Sequence, residues 1–299
     1  MSLRILEPGL QTLVVDGGRP SSRSLGVPLG GAADRLSLAI GNALVGNPSD
    51  TAALECCLAG PTLLATVDVE CVVFGAPFDL RIGSVSLVSG WTHWLRAGDV
   101  LRVGGTIVGA RAYVCVAGGL QTPVALKSRS SLEPLARGME LPCPTSLDRG
   151  SRTVLLKRDT STPIRAMPGP QIDWFDSSHF FGPNFEVSQS SNRMGLRLIG
   201  QPIERAAREM VSEPVAPGAV QVVNDGQCIV LGVDGQTVGG YPKVAQVIAA
   251  DLDRLGQLRP GERVTFTAVS LEEAAAAYDE RERYLREWLT RLSVTREAP

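Results

Sequence analysis

From residue 70 to residue 118 the chain is a succession of short apolar runs broken by glycine, at 71–74, 85–88, 100–103 and 111–116. Runs of this length, closely spaced and separated by turn residues, predict the strands of a sandwich or barrel. The same grammar returns at 185–188, 196–199, 220–223, 228–233 and 264–269, so a mainly β protein is expected. Two pairs of phrases echo each other: Leu54 to Leu63 resembles Gly195 to Ile203, and the turn Arg96 to Asp99 resembles Arg259 to Glu262. Two β domains of similar plan fit that echo.

The helical period appears in three places. Asp34 is placed to cap residues 35–45, where Leu36, Ile40, Ala43 and Leu44 share a face before Gly46-Asn47-Pro48 stops the turn. Pro242 suits the first turn of a second helix over 243–250, with Val244, Val247 and Ile248 on one side. Ser270 and Glu273 form a capping box ahead of Leu271, Ala274, Tyr278, Leu285, Trp288 and Leu292, a long amphipathic helix whose stripe lies against the chain or against a partner.

Length and composition narrow the classes. At 299 residues, two domains are expected, and 44% hydrophobic with 20% charged residues supplies a core without a sign of disorder. The formal charge of -2, with both signs interspersed, excludes the basic footprint of a nucleic-acid binder. The start of the chain carries Glu7, Pro8 and Gly9 rather than a signal-peptide run, and no apolar stretch has membrane-spanning length, which predicts a cytoplasmic protein away from membranes. Six cysteines without a CxxC repeat are expected as reduced, mostly buried thiols, and two unrelated histidines, His93 and His179, predict no metal site.

Three polar segments are more than a core requires. The glycine-rich loop from Asp16-Gly17-Gly18-Arg19 to Gly30-Gly31-Ala32-Ala33-Asp34 leads into the first helix; it is either an anion-binding helix N-terminus or a turn with a cap. In Ser188 to Leu198, Arg193 sits just before a strand, where a guanidinium can grip a carboxylate or phosphoryl group, or simply face solvent. The densest is Gln221, Asn224, Asp225 and Gly226 with Asp234 to Lys243, a loop flanked by rigid elements. Lys243 at a helix start would oppose the macrodipole, which asks for a functional reason.

The run from Ser212 to Phe266, centred on Gly239-Gly240-Tyr241-Pro242-Lys243, resembles the signature of the family of 5-oxoprolinase C subunits and KipA-like proteins, also called allophanate hydrolase subunit 2 and biotin-dependent carboxyltransferase-like. Further phrases match in family order: GVPLGGAADRLSLAIGNALVGN (26–47), ALECCLAGPTL (53–63), GARAYVCVAGGL (109–120), PGPQIDWF (168–175) and NRMGLRL (192–198). The resemblance implies two cyclophilin-like β-barrel domains, 1–163 and 164–270, with a helical extension at 271–299. It implies a subunit that opens the 5-oxoproline lactam together with a B-type, KipI-like subunit and an A-type, LamB/YcsF-like subunit. ATP with magnesium would serve in the assembled complex.

On the same resemblance Lys243, Asp234, Arg193 and Asp34 are expected to be catalytic. Arg19, Gly31, Gln221, Asp225, Gln236, Thr237, Gly239, Gly240 and Tyr241 are expected to bind a small amide or lactam in one cleft. The alternatives are a KipA-like regulator that binds a kinase-inhibitor-type partner, and a urea carboxylase-like carboxyltransferase. The latter needs biotin on a separate carrier, since no Met-Lys-Met biotinylation motif occurs here. The chain departs from the family phrases at Val15, Gly30, Ala33, Lys127 and Asn192, which puts a hydroxyl, an amide and a carboxylate in question.

Overall fold

The protein is described from a computed structural model, which describes residues 1–131, 133–148, 150–154, 156, 163–206 and 208–297. The expected domain boundary near residues 157–163 lies, except for Pro163, outside the described residues. Two compact units emerge: Met1–Gly18 with Gly30–Lys157 and Leu285–Pro299, and Arg19–Leu29 with Arg158–Tyr284.

The first unit is built from two open sheets. One runs in the order Glu140–Pro142, Ser2–Glu7, Thr62–Ala65, Val100–Val103, Leu80–Ile82, Val85–Leu87; the other in the order Gln11–Val15, Ala53–Cys57, Arg111–Val116, Val69–Gly75, Thr92–Leu95. Leu3, Ile5, Leu63 and Leu101 from the first sheet share a core with Leu54, Cys56, Val73 and Val114 from the second. The second sheet is buried on its other face too, by Leu38, Ile40 and Leu44 of helix α1 (Arg35–Leu44) and by Leu285, Trp288 and Leu292. Hence its central strand Arg111–Val116 is buried at all six positions and reads as an unbroken hydrophobic run from Ala112 onward.

The second unit holds an eight-stranded sheet in the order Arg263–Val264, Phe185–Val187, Gly195–Ile199, Cys228–Leu231, Ala219–Val222, Lys243–Val247, Ile164–Pro168, Phe266–Ala268. Its two edge strands are separated only by Thr265, so this sheet curls close to a barrel around Phe180, Phe185 and Phe266, whose rings pack on one another. Two β-barrel domains are therefore not what the chain forms. Only this sheet approaches closure, because among the described residues the first unit ends both of its sheets in strands with no further partner strand. Inward and outward faces alternate identically in an open sheet and a closed one, so strand text does not separate them.

A second expectation also fails. Residues 243–250 do not form a helix: Lys243–Val247 is a strand between Ala219–Val222 and Ile164–Pro168, followed by a 3-10 turn and the four-residue helix α2 (Leu252–Leu255). A short apolar run spaced by three and four suits both states, and burial on both faces with two hydrogen-bonding neighbours decides for the strand. Lys243 therefore opens a strand, where no helix dipole opposes its ammonium.

The other local signals materialise. Asp34 accepts from Ser37 N (2.9 Å) and Ser37 Oγ (2.8 Å) as the cap of α1. Ser270 and Glu273 exchange bonds of 3.1 and 2.7 Å at the start of helix α3 (Leu271–Glu297). Trp288 packs on the chain's own sheet, while Leu271 and Tyr278 of the same helix are exposed. All six cysteines are free, and burial pushes the Cys71 and Cys228 thiols up to about 12. Among the described residues no helix is long and apolar enough to cross a membrane.

One departure from the family phrases, Lys127, finds a local reading beside the loop that precedes α1. Burial raises the pKa of Asp16, but hydrogen bonds outweigh it and hold the carboxyl below its ordinary value of 3.8: the Ser128 and Ser130 hydroxyls (both 2.6 Å), Arg129 N (2.6 Å) and Gly18 N (2.8 Å) all donate to it. Asp16 thus ties the glycine loop to the Ser128-Arg129-Ser130 segment. Lys127, where the family phrase has glycine, takes a left-handed φ of 64°. Gly31, at φ 75°, passes so close to Asp16 that an added Cβ would sit 2.7 Å from its carbonyl oxygen. A depressed folded-state pKa means the stabilisation is complete above the unfolded value and lost as pH falls through the folded one. The stability gap between wild type and Asp16→Asn should therefore shrink below about pH 4 in urea melts. A gap that stays constant with pH would show that the carboxylate charge contributes nothing.

Candidate functional site

In the second unit the strand Lys243–Val247 begins beneath the turn Pro168-Gly169-Pro170-Gln171. Gly169 is needed there, since a Cβ would stand 2.2 Å from the Lys243 carbonyl oxygen. Gln171 Oε1 accepts from Lys243 N (3.1 Å), and Gln171 Nε2 donates to Glu213 Oε1 (3.0 Å). The Lys243 ammonium is ion-paired with the same Glu213 oxygen. Lys243 is only 6% exposed, and burial lowers the pKa of its ammonium. Beside it opens a cleft of about 610 Å³, lined among others by Arg23, Pro168, Pro170, Val215 and Lys243. That size falls within the range of small-molecule sites.

A chain of amides ties down the loop on which the Glu213 strand pairs. Gln236 Nε2 donates to Gln221 Oε1 (3.2 Å), and Gln221 Nε2 reaches the Tyr241 carbonyl at 3.5 Å. Gly239 leaves room for it, because an added Cβ would lie 2.5 Å from Gln221 Nε2. Val238–Gly239 pairs with Glu213–Pro214, and Val215 N donates to the Thr237 carbonyl (3.0 Å). So Gln221, Gln236, Thr237, Gly239 and Tyr241 come together around the Glu213 strand, with Gly240 next to Tyr241, which is 38% exposed.

Arg193 and Asp234 face each other instead of the cleft. Nε and Nη2 donate to the two carboxylate oxygens at 2.6 and 3.0 Å, with both side chains nearly enclosed. Asp234 N also donates to the Arg193 carbonyl (3.1 Å), so charge and backbone together lock two loops. Asn192, another departure from the family phrase, accepts from Met194 N (2.8 Å) through its side-chain oxygen, so an amide performs the turn function of a carboxylate. Asp225 is exposed and accepts from Gln227 N (3.0 Å) in a turn of its own. Arg19 begins the 19–29 segment, bonded through its backbone to Leu29 (2.7 Å). Asp34 and Gly31 belong to the first unit, where the Asp34 side chain is fully buried as a helix cap.

Sequence reasoning misses Glu213, Gln171 and Arg23. Gln171 and Glu213 do lie inside phrases that match the family, but nothing in their local spacing ties them to Lys243, which is 72 and 30 residues away.

Comparison with known proteins places this geometry in context. The sequence profile of the carboxyltransferase domain, subdomain A and B, matches residues 25–268. The chain is 36% identical to the C subunit of the 5-oxoprolinase of Escherichia coli (strain K12), over 97% of this chain and 98% of that one. Its fold is similar to the crystal structure of TTHA0988, with a TM-score of 0.82 and 33% identity over 89% of this chain. It is also similar to the crystal structure of the K. lactis urea amidolyase, with a TM-score of 0.86 and 27% identity over 96% of this chain. The chain spans 55% of the TTHA0988 chain and 20% of the urea amidolyase chain.

Proposed function

Because the chain belongs to the carboxyltransferase-domain family that contains the 5-oxoprolinase C subunits, we propose that it is the C-type subunit of an ATP-dependent 5-oxoprolinase. The observation that carries this reading is the buried Lys243 ammonium at the wall of a cleft of small-molecule size. In the overall reaction water adds to the lactam carbonyl carbon, the ring C–N bond breaks, a proton goes to the departing nitrogen, and glutamate results. Negative charge develops on the carbonyl oxygen, and a positive group held in a water-poor cleft stabilises it without having to reorganise. Lys243 supplies that charge, Glu213 and Gln171 hold it in place, and the Gln221 and Gln236 amides steady the 236–241 loop with which the Glu213 strand pairs.

The described residues include no group of three or more His, Cys, Asp or Glu side chains placed to hold an ion. In the proposal the nucleotide is handled elsewhere in the assembly with a B-type and an A-type subunit. Purified with those two partners, the chain should support glutamate formation from 5-oxoproline that depends on ATP and is absent when the chain is left out. Tight binding of the B-type partner with no turnover would replace this reading by the regulatory one.

A further inference from the structure

The cleft holds a second cation that lactam opening by Lys243 leaves unused. Arg23 and Lys243 are the two charged side chains among the residues lining it, and Lys243 is already matched by Glu213. Arg23 comes from the 3-10 turn Pro20–Leu25, which belongs to the second unit. Its Nη2 donates to the Val215 carbonyl, which anchors the guanidinium at the cleft wall. Its Nη1 is buried with no hydrogen-bond partner among the described residues. Donors on charged groups are costly to bury unmade, so such a nitrogen asks for an acceptor that arrives with a ligand.

We propose that Arg23 receives the carboxylate of the substrate, making the cleft selective for an acidic lactam over a neutral one. This rests on the reading of the cleft as the lactam site. With Lys243 and Glu213 cancelling, the cleft carries one net positive charge, which a monoanion balances. The planar fork of arginine suits a carboxylate, and Arg23 stands among the residues that line the cleft. Pro168, Pro170 and Val215 make the surroundings apolar, where such a charge pair is screened less than in water.

The test compares 5-oxoproline with 2-pyrrolidinone, the same ring without its carboxylate, by calorimetric titration of the full chain. Wild type should prefer 5-oxoproline by about 10- to 100-fold. Arg23→Gln should erase the preference, with the affinity for 5-oxoproline falling to about that for 2-pyrrolidinone, and Arg23→Lys, which keeps the charge without the fork, should retain part of it. A thermal melt of each variant beside wild type shows that the variants are folded. If Arg23→Gln keeps the full preference, the Arg23 assignment is overturned and the 5-oxoprolinase reading stands. If wild type ignores 5-oxoproline but binds glutarate in an Arg23-dependent way, the 5-oxoprolinase reading fails and the role of Arg23 stands. Wild type that binds no carboxylate overturns the proposal.

Discussion

Lys243→Met in the assembled complex should lower kcat for 5-oxoproline opening by roughly 100- to 1,000-fold, the usual cost of removing one preorganised donor from a developing oxyanion. The loss should fall on kcat more than on KM, because the ammonium meets full negative charge only as the carbonyl oxygen acquires it. Stability should change little. The carboxylate left behind, Glu213, has a side chain 37% exposed and keeps its bond from Gln171, so it stays hydrated when its partner is removed. Methionine retains the bulk of the stem at the cleft wall. Steady-state kinetics beside a thermal melt check this, and full activity in a folded variant would remove Lys243 from the mechanism.

Arg111→Met should produce the largest loss of stability, about 3–5 kcal/mol, because it strands a carboxylate inside the first unit. Glu55 is 1% exposed and accepts from Arg111 Nε (3.2 Å), the Tyr113 hydroxyl (2.8 Å) and Ala33 N (2.9 Å). Tyr113 Oη in turn accepts from Asp34 N (2.8 Å), so the network reaches the residue that caps α1. Burial and the neighbouring Glu55 carboxylate push the Tyr113 phenol well above its ordinary value, so it serves as a donor throughout the working pH range. Without the guanidinium the Glu55 charge loses its counterion but not its burial. For a unit of this size the melting temperature should fall by about 6–20 °C. A fall of only a degree or two would show that the remaining donors suffice.

Local hydrogen bonds and backbone conformation give the motif departures a physical meaning. Set against the family phrases, Ala33, Gly30 and Asn192 read as losses of functional groups. In the fold, Ala33 contributes its backbone N–H to Glu55, Gly30 takes a left-handed φ of 63°, and Asn192 completes a turn with its amide oxygen. At these positions the fold uses backbone conformation and a side-chain oxygen. Asp34, Arg193 and Asp234 stand out in the sequence as charged residues in polar loops, and each is engaged by a neighbour in the same unit: a cap for the first, an ion pair for the other two.

Much of the architecture was legible because its causes are local. The strands at 100–103 and 111–116 coincide with their apolar runs, since four to six residues bounded by turns leave little other use for such text. The start of α1 at Asp34 and the capping box at Ser270 follow from orphan N–H groups that a nearby side chain must satisfy. Tertiary structure alone decided whether sheets close, which state residues 243–247 adopt, and which partner each charge obtains. Those outcomes depend on hydrogen-bonding edges and counterions brought from far along the chain, as Gln171 and Glu213 are brought to Lys243, and no periodicity within a segment records where its distant neighbours will lie.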